Sequence, residues 1–126
     1  MDKAVLERPE LTFSPEVGDW VRETYAASKI ILEYGSGGST ILAAELGVPV
    51  VAVESDPSWT KKMNAFLATH HKNADAEVRH VDIGKTGPWG KPYKPEGALK
   101  YHRYPMSVWD SAGFQQPDII TIDGRF

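Results

Sequence analysis

Apolar positions follow two different patterns along the chain. Short continuous apolar runs that stop at glycine or acidic residues are typical of buried parallel strands. Apolar stripes at three- and four-residue spacing are typical of helices packed against a core. The first pattern predicts four strands, at residues 29–34, 50–53, 77–81 and 118–123.

The segments between these strands carry helix signals. Ser14 and Asp56 are each followed by proline, a combination that caps and starts a helix. These two helices are expected to end near residues 28 and 71, and further helices are expected at 40–46 and 105–112. On the helices that start after Ser14 and Asp56, the residues predicted to face the core are Val17, Trp20, Val21, Tyr25, Trp59, Met63, Phe66 and Leu67.

Strands that alternate with helices indicate a parallel sheet joined by right-handed crossovers. We predict a single Rossmann-like α/β domain over residues 1–126, with strand order 3-2-1-4 and helices on both faces. It ends after its fourth strand, so we expect it to be an incomplete domain. Ligands bind such sheets beyond the carboxyl ends of the strands, where the order reverses between strands 1 and 4.

Segment 84–104 is rich in glycine, proline and aromatic residues and shows no period. We expect a long loop there, and long loops in compact domains often cover binding sites. Trp89 and Tyr93 are expected to line a pocket, whereas Trp109 is expected to pack against the sheet.

Small residues cluster between the first strand and the second helix, in EYGSGGST at 33–40. A backbone without bulky side chains lets a ligand approach closely, and a helix N-terminus favours a negative group. Glu54 follows Gly35 by nineteen positions, at the end of the second strand, where an acid reaches ribose hydroxyls. The pattern predicts an adenosine-type ligand. The alternative interpretation is a tight turn beside a surface glutamate.

Composition narrows the class of ligand. The net charge of −3 predicts no general attraction to nucleic acid or to an anionic membrane. Zero cysteines exclude a disulfide framework, a thiolate zinc site and a cysteine nucleophile. No apolar run reaches the roughly 18 residues of a membrane span. We therefore expect a cytoplasmic protein with a small-molecule substrate.

The glycine loop matches two other kinds of nucleotide-binding loop less well. Dinucleotide loops follow GxGxxG, but the sixth position here is Thr40. A phosphate-binding P-loop needs a lysine after its final glycine, where this loop has Ser39.

The loop resembles the first motif of class I S-adenosylmethionine-dependent methyltransferases. That motif has an acidic residue two positions before its first glycine, as Glu33 stands before Gly35. Gly37 matches the second glycine, whereas Ser39 replaces the third and Gly38 is additional. The likeness extends to a group of small methyltransferase-like proteins of unknown substrate. The shared motifs are EYGSGGST, VESD at 53–56, DIGxTGxWGxP at 82–92, and DGRF at 123–126.

This resemblance implies S-adenosylmethionine binding and methyl transfer to an unidentified acceptor. It implies that the glycine loop holds the methionine portion, Glu54 the ribose and Asp82 the adenine. The cofactor-binding residues so predicted are Glu33, Gly35, Ser36, Gly37, Gly38, Ser39, Glu54 and Asp82.

Asp123 is the candidate catalytic residue on the substrate side. It could act as a base, bind substrate or ligate a metal, as the corresponding strand end does in catechol-type O-methyltransferases. An Asp-Gly turn is the alternative of equal weight, so metal use stays open. The four histidines lie in separate or adjacent positions, and we expect them to be capping or solvated residues rather than a metal site.

Three alternatives to an active methyltransferase remain from the sequence. The chain could be a fragment of a longer enzyme, a non-catalytic nucleotide-binding module, or, less favoured, an NAD-binding fragment. The fourth strand is apolar and lies at the predicted sheet edge, so we also expect self-association through that edge.

Overall fold

The computed structural model describes residues 8–92 and 95–123, except for the side chains of 95–97. Its helices are α1 (Pro15–Ala26), α2 (Gly38–Glu45), α3 (Pro57–His70) and α4 (Arg103–Met106). Its strands are β1 (Ile31–Tyr34), β2 (Val50–Glu54), β3 (Ala76–His80) and β4 (Ile119–Ile122). Short 3-10 helices lie at Pro88–Gly90, Pro95–Lys100 and Ser107–Asp110.

The strands form one parallel sheet in the order β3-β2-β1-β4, which confirms the predicted topology. Ile31 of β1 pairs with Val50 on one side and with Ile119 on the other. The Asp118 carboxylate accepts hydrogen bonds from the Ile30 N–H at 2.8 Å and the Lys29 N–H at 3.0 Å. These bonds hold the pKa of Asp118 below its usual value and fix the start of β4 against β1.

The capping residues act as the sequence predicts. Ser14 Oγ accepts a hydrogen bond from the Val17 N–H at 3.4 Å, and Asp56 Oδ1 accepts one from the Trp59 N–H at 3.1 Å. Helix α2 begins two residues before the predicted start at 40. The reason is that the Gly37 N–H donates to Thr40 Oγ1 at 3.1 Å, which closes the first turn on Gly37 itself.

Helices cover both faces of the sheet, as predicted. On one face, α1, α2 and α3 pack against a layer of alternate strand residues: Ile31, Val50, Ala52 and Val78. On the other face, Tyr104 of α4 and Val108 pack against Leu32, Tyr34 and Val53. None of the helices in the described ranges is long and apolar enough to cross a membrane.

The predicted core face of α1 is partly wrong. Val21 and Tyr25 are buried, but Val17 is 46% exposed and Trp20 is 64% exposed. The buried stripe runs through Gly18, Val21 and Tyr25 at three- and four-residue spacing. Val17 lies beside this stripe, whereas Trp20 lies about 100° from its nearest member, Val21, since each residue turns the helix by about 100°.

Segment 84–104 has more order than the predicted loop. Besides two 3-10 helices, it contains a tight hairpin over residues 86–92, in which Thr86 bridges Pro92 and the Gly87 N–H donates to the Lys91 carbonyl at 2.8 Å. The helix predicted at 105–112 begins earlier, at Arg103, and continues as a 3-10 helix to Asp110.

Candidate functional site

A cavity of about 380 Å³ lies at the carboxyl ends of β1, β2 and β4. Its volume falls within the usual range for small-molecule sites, and its position is the switch point between β1 and β4. Three segments and three single residues line it. The segments are 9–13, the glycine loop at 35–39, and 54–56 with Trp59; the single residues are Trp89, Tyr104 and Asp123.

Each glycine of the loop has a separate structural reason. Gly35 has a φ of +93°, a conformation that favours glycine, and its N–H donates to the Val53 carbonyl at 2.8 Å. A Cβ at Gly37 would meet no protein atom within 4 Å, so this position leaves space in the cavity. A Cβ at Gly38 would collide with the backbone of Glu10 and Leu11, so Gly38 lets segment 9–13 cross the loop.

Glu33 supports the glycine loop from below and does not line the cavity. Its carboxylate is 1% exposed and accepts hydrogen bonds from the hydroxyls of Tyr25, Ser39 and Thr40. Burial raises the pKa of Glu33 above its usual value. The Tyr25 hydroxyl also lies 2.6 Å from Thr121 Oγ1, so this network joins α1, β1, α2 and β4.

Glu54 lies at the edge of the cavity, where the sequence predicts a ribose-binding acid. It is 6% exposed and accepts four hydrogen bonds from the protein. Oε1 accepts from the Ser36 N–H at 3.2 Å and from Ser36 Oγ at 2.9 Å. Oε2 accepts from the backbone N–H groups of Ser55 at 3.0 Å and Asp56 at 3.2 Å.

The two remaining predicted acids lie in different surroundings. Asp123 lines the cavity directly after β4, and its N–H donates to the Tyr34 carbonyl at 2.8 Å. Asp82 is not among the lining residues; its carboxylate accepts from the Gly84 N–H at 2.8 Å and from Lys100 Nζ at 2.9 Å. Both bonds hold the pKa of Asp82 below its usual value. Of the predicted site residues, the structure thus brings all except Glu33 and Asp82 to the cavity wall.

Sequence reasoning did not place segment 9–13, Ser55, Asp56 or Trp59 at the cavity, although all of them line it. Tyr104 lines it as well. Segment 9–13 has no periodic pattern that could reveal its position. Trp59 packs against the buried residues of α3, as its apolar spacing predicts, and its Nε1–H also donates to the Ser36 carbonyl at 3.0 Å. Burial raises the pKa of the Tyr104 hydroxyl above its usual range, so it stays a neutral phenol.

Trp89 lines the cavity, as predicted, from the tip of the 86–92 hairpin. The hairpin is attached to the end of β2, because Ser55 Oγ donates to the Gly90 carbonyl at 2.6 Å. Trp109 is 42% exposed, so it is less buried than predicted; it meets Phe114 edge-on at 5.2 Å, and its Nε1–H donates to the Tyr34 hydroxyl of β1 at 2.9 Å. Tyr93 and residues 124–126 of the DGRF motif lie outside the described residues.

The described lining of the cavity is acidic. Its charged residues are Glu10, Glu54, Asp56 and Asp123, and among the described lining residues there is no lysine, arginine or histidine. Such a wall favours a ligand that carries positive charge. Within the described ranges, no group of three or more histidine, aspartate or glutamate residues is arranged to hold a metal ion.

One solved structure has the same fold as this chain. The crystal structure of a methyltransferase-like protein from Silicibacter pomeroyi superimposes on this chain with a TM-score of 0.89 at 44% sequence identity. The match covers 94% of this chain and 62% of the Silicibacter chain, so the present chain spans less than two thirds of that protein. No protein-family model matches the sequence, and no curated protein matches it. The chain therefore has a methyltransferase-like fold.

Proposed function

We propose that the cavity binds S-adenosylmethionine and that the chain serves methyl transfer to a small-molecule acceptor. One observation carries this proposal. The 35–39 loop at the start of α2 and the buried Glu54 carboxylate meet in a single cavity at the switch point of the sheet. The methyltransferase-like neighbour supports the same class of chemistry.

The charge of the cavity fits this ligand better than a dinucleotide. S-adenosylmethionine carries a sulfonium and an ammonium group, both of which an acidic lining attracts. NAD would bring a pyrophosphate to a wall whose described charged residues are all acidic. The N-terminus of α2, where the first N–H groups lack helical partners, suits the single carboxylate of the methionine portion.

The residues of the site have distinct tasks in this proposal. When bound, the cofactor supplies an electrophilic methyl group. Gly37 leaves room for it beside the backbone, and Glu54 accepts a ribose hydroxyl. Asp123 lies across β1 from Glu54 and orients the acceptor or takes its proton. Trp89 and Tyr104 exclude water from the reacting groups, which must be held in line for the displacement.

Isothermal titration calorimetry with S-adenosylmethionine, S-adenosylhomocysteine and NAD tests the proposal. We expect both adenosyl ligands to bind at least about tenfold more tightly than NAD, which corresponds to about 1.4 kcal/mol. Asp123→Asn should retain this binding, since Asp123 acts on the acceptor. Equal affinity for NAD contradicts the proposal, and binding without methylation of any acceptor would favour a non-catalytic module.

A further inference from the structure

The Glu54 carboxylate is saturated with hydrogen bonds. A carboxylate offers about four lone-pair positions, and four protein donors point at Glu54: three backbone N–H groups and the hydroxyl of Ser36. Because the side chain is 6% exposed, an incoming hydroxyl has no further position on it. A ribose hydroxyl can therefore bind Glu54 only if one of these donors leaves.

The three backbone donors are fixed by their surroundings. The Ser36 peptide is anchored by Trp59 Nε1–H, which donates to the Ser36 carbonyl at 3.0 Å. Asp56 caps α3, which fixes its own N–H and that of Ser55. Gly90 packs on the Oε2 side, where an added Cβ would lie 3.1 Å from that oxygen.

The Ser36 hydroxyl is the exception. It donates to Oε1 at 2.9 Å, its residue lines the cavity, and rotation about a single side-chain bond removes it. We propose that Ser36 is a positioning residue that occupies the ribose acceptor position on Glu54 and is displaced when the ligand binds. Ser36 then keeps Glu54 aligned toward the cavity, and it lowers affinity for ligands that bear the ribose hydroxyl. This inference rests on the proposed function.

Calorimetry on Ser36→Ala tests the inference, with S-adenosylhomocysteine and its 2′-deoxy and 3′-deoxy analogues as probes. The variant should bind S-adenosylhomocysteine about threefold to tenfold more tightly than the natural chain, the range that one net hydrogen bond gives. The analogue that lacks the hydroxyl bound by Glu54 should show no such gain, because it does not displace Ser36. A merely structural role of Ser36 would not distinguish these ligands.

Ser55→Ala is the matched control. Its hydroxyl lies beside the same carboxylate but donates to the Gly90 carbonyl, so its removal frees no position on Glu54. We expect no gain in affinity for this variant. Equal or weaker binding by Ser36→Ala, or the same gain with every analogue, would overturn the inference alone. If S-adenosylhomocysteine binds neither the natural chain nor Ser36→Ala, the proposed function is overturned, and this inference with it.

Discussion

The two buried glutamates of the site are held by different kinds of donor. Glu33 accepts from three side-chain hydroxyls, whereas three of the four donors to Glu54 are backbone N–H groups. A hydroxyl can change from donor to acceptor when its partner takes a proton, but a backbone N–H cannot. The network around Glu33 can therefore accommodate either charge state of its carboxyl group.

Because the charge state of Glu33 can change, the free energy of unfolding should depend on pH. Burial raises the pKa of Glu33 above the value of about 4.3 expected in the unfolded chain. The contribution of Glu33 to folding is thus fully present below about pH 4.3 and declines as the pH rises through the folded pKa. Glu33→Gln, which stays neutral, should lack this decline. Urea denaturation across a pH series should show the variant gaining free energy of unfolding relative to the natural chain as the pH rises.

A second variant, Glu33→Ala, serves as the comparison within the pH series. Glu33→Ala leaves buried hydroxyls without their acceptor, so it should cost more than Glu33→Gln at every pH, by about 1–3 kcal/mol. A difference between Glu33→Gln and the natural chain that is constant with pH would show that folding does not raise the pKa of Glu33.

A side chain added at Gly37 should affect mainly ligand binding, whereas one added at Gly38 should affect mainly stability. Gly37 has an extended φ of 171° and open space around its missing Cβ. Gly37→Val should therefore still fold, with a small loss of melting temperature from the N-cap of α2, but it should abolish calorimetric binding of S-adenosylhomocysteine, because the side chain enters the cavity. Gly38→Ala should instead lower the melting temperature, since its Cβ meets the backbone of segment 9–13. Full affinity in Gly37→Val would mean that the loop is only a turn.

At the scale of elements, the 86–92 hairpin holds its aromatic tip under strain. Trp89 has a φ of +63°, which costs a residue with a side chain about 1 kcal/mol or more. The bond from Ser55 Oγ to the Gly90 carbonyl and the bond from the Gly87 N–H to the Lys91 carbonyl maintain this conformation. Trp89 therefore projects at the cavity from a hairpin that Ser55 attaches to the end of β2.

Hydrogen exchange should reveal this arrangement. We expect the amides of 86–92 to exchange faster than those of α2 and α3 in the free protein, and to gain protection with saturating S-adenosylhomocysteine. Ser55→Ala should accelerate exchange at the hairpin without affecting β3. If ligand leaves the exchange of the hairpin unchanged, Trp89 does not close over the site.

The sequence predicts those elements that local apolar patterns mark, and it misplaces those that depend on other contacts. The apolar runs before Gly35 and Glu54 mark β1 and β2 directly, and crossover handedness then leaves few strand orders. The start of α2 differs from the prediction because a bond between Gly37 and Thr40 sets it, and apolar periodicity does not report such a bond. Trp20 was predicted to face the core but is 64% exposed, because the buried stripe of α1 runs through Gly18, Val21 and Tyr25.

The sequence likewise predicts part of the candidate site and not the rest. Sequence spacing located the loop, Glu54 and Asp123 at one cavity because all three follow strand ends. The resemblance to the methyltransferase motif implied that Glu33 contacts the ligand, whereas its carboxylate lies beneath the loop. The partners that hold it there include Tyr25, which in turn meets Thr121, and no local pattern connects those two positions.

For the whole molecule, β4 presents an apolar edge. In the described part of the chain it pairs with β1 on one side, and Ile120 and Ile122 are 47% and 79% exposed. Such a strand is a template for pairing with a second chain. We expect the average mass from light scattering to rise with concentration, and Ile122→Lys to suppress this rise. A single monomeric mass for the natural chain over the whole series would contradict the expectation.

The contact between Tyr25 and Thr121 spans 96 positions of sequence and has a consequence for synthesis. A nascent chain emerges from its N-terminus, so α1, β1 and the glycine loop leave the ribosome long before β4. Until β4 docks, the Tyr25 hydroxyl lacks its second partner, and one edge of β1 is open to water. The network beneath the loop is thus completed only when β4 docks. Because a ligand stabilises only the state that binds it, a ligand in the cavity would protect chains in which β4 has docked and leave the others exposed to proteolysis.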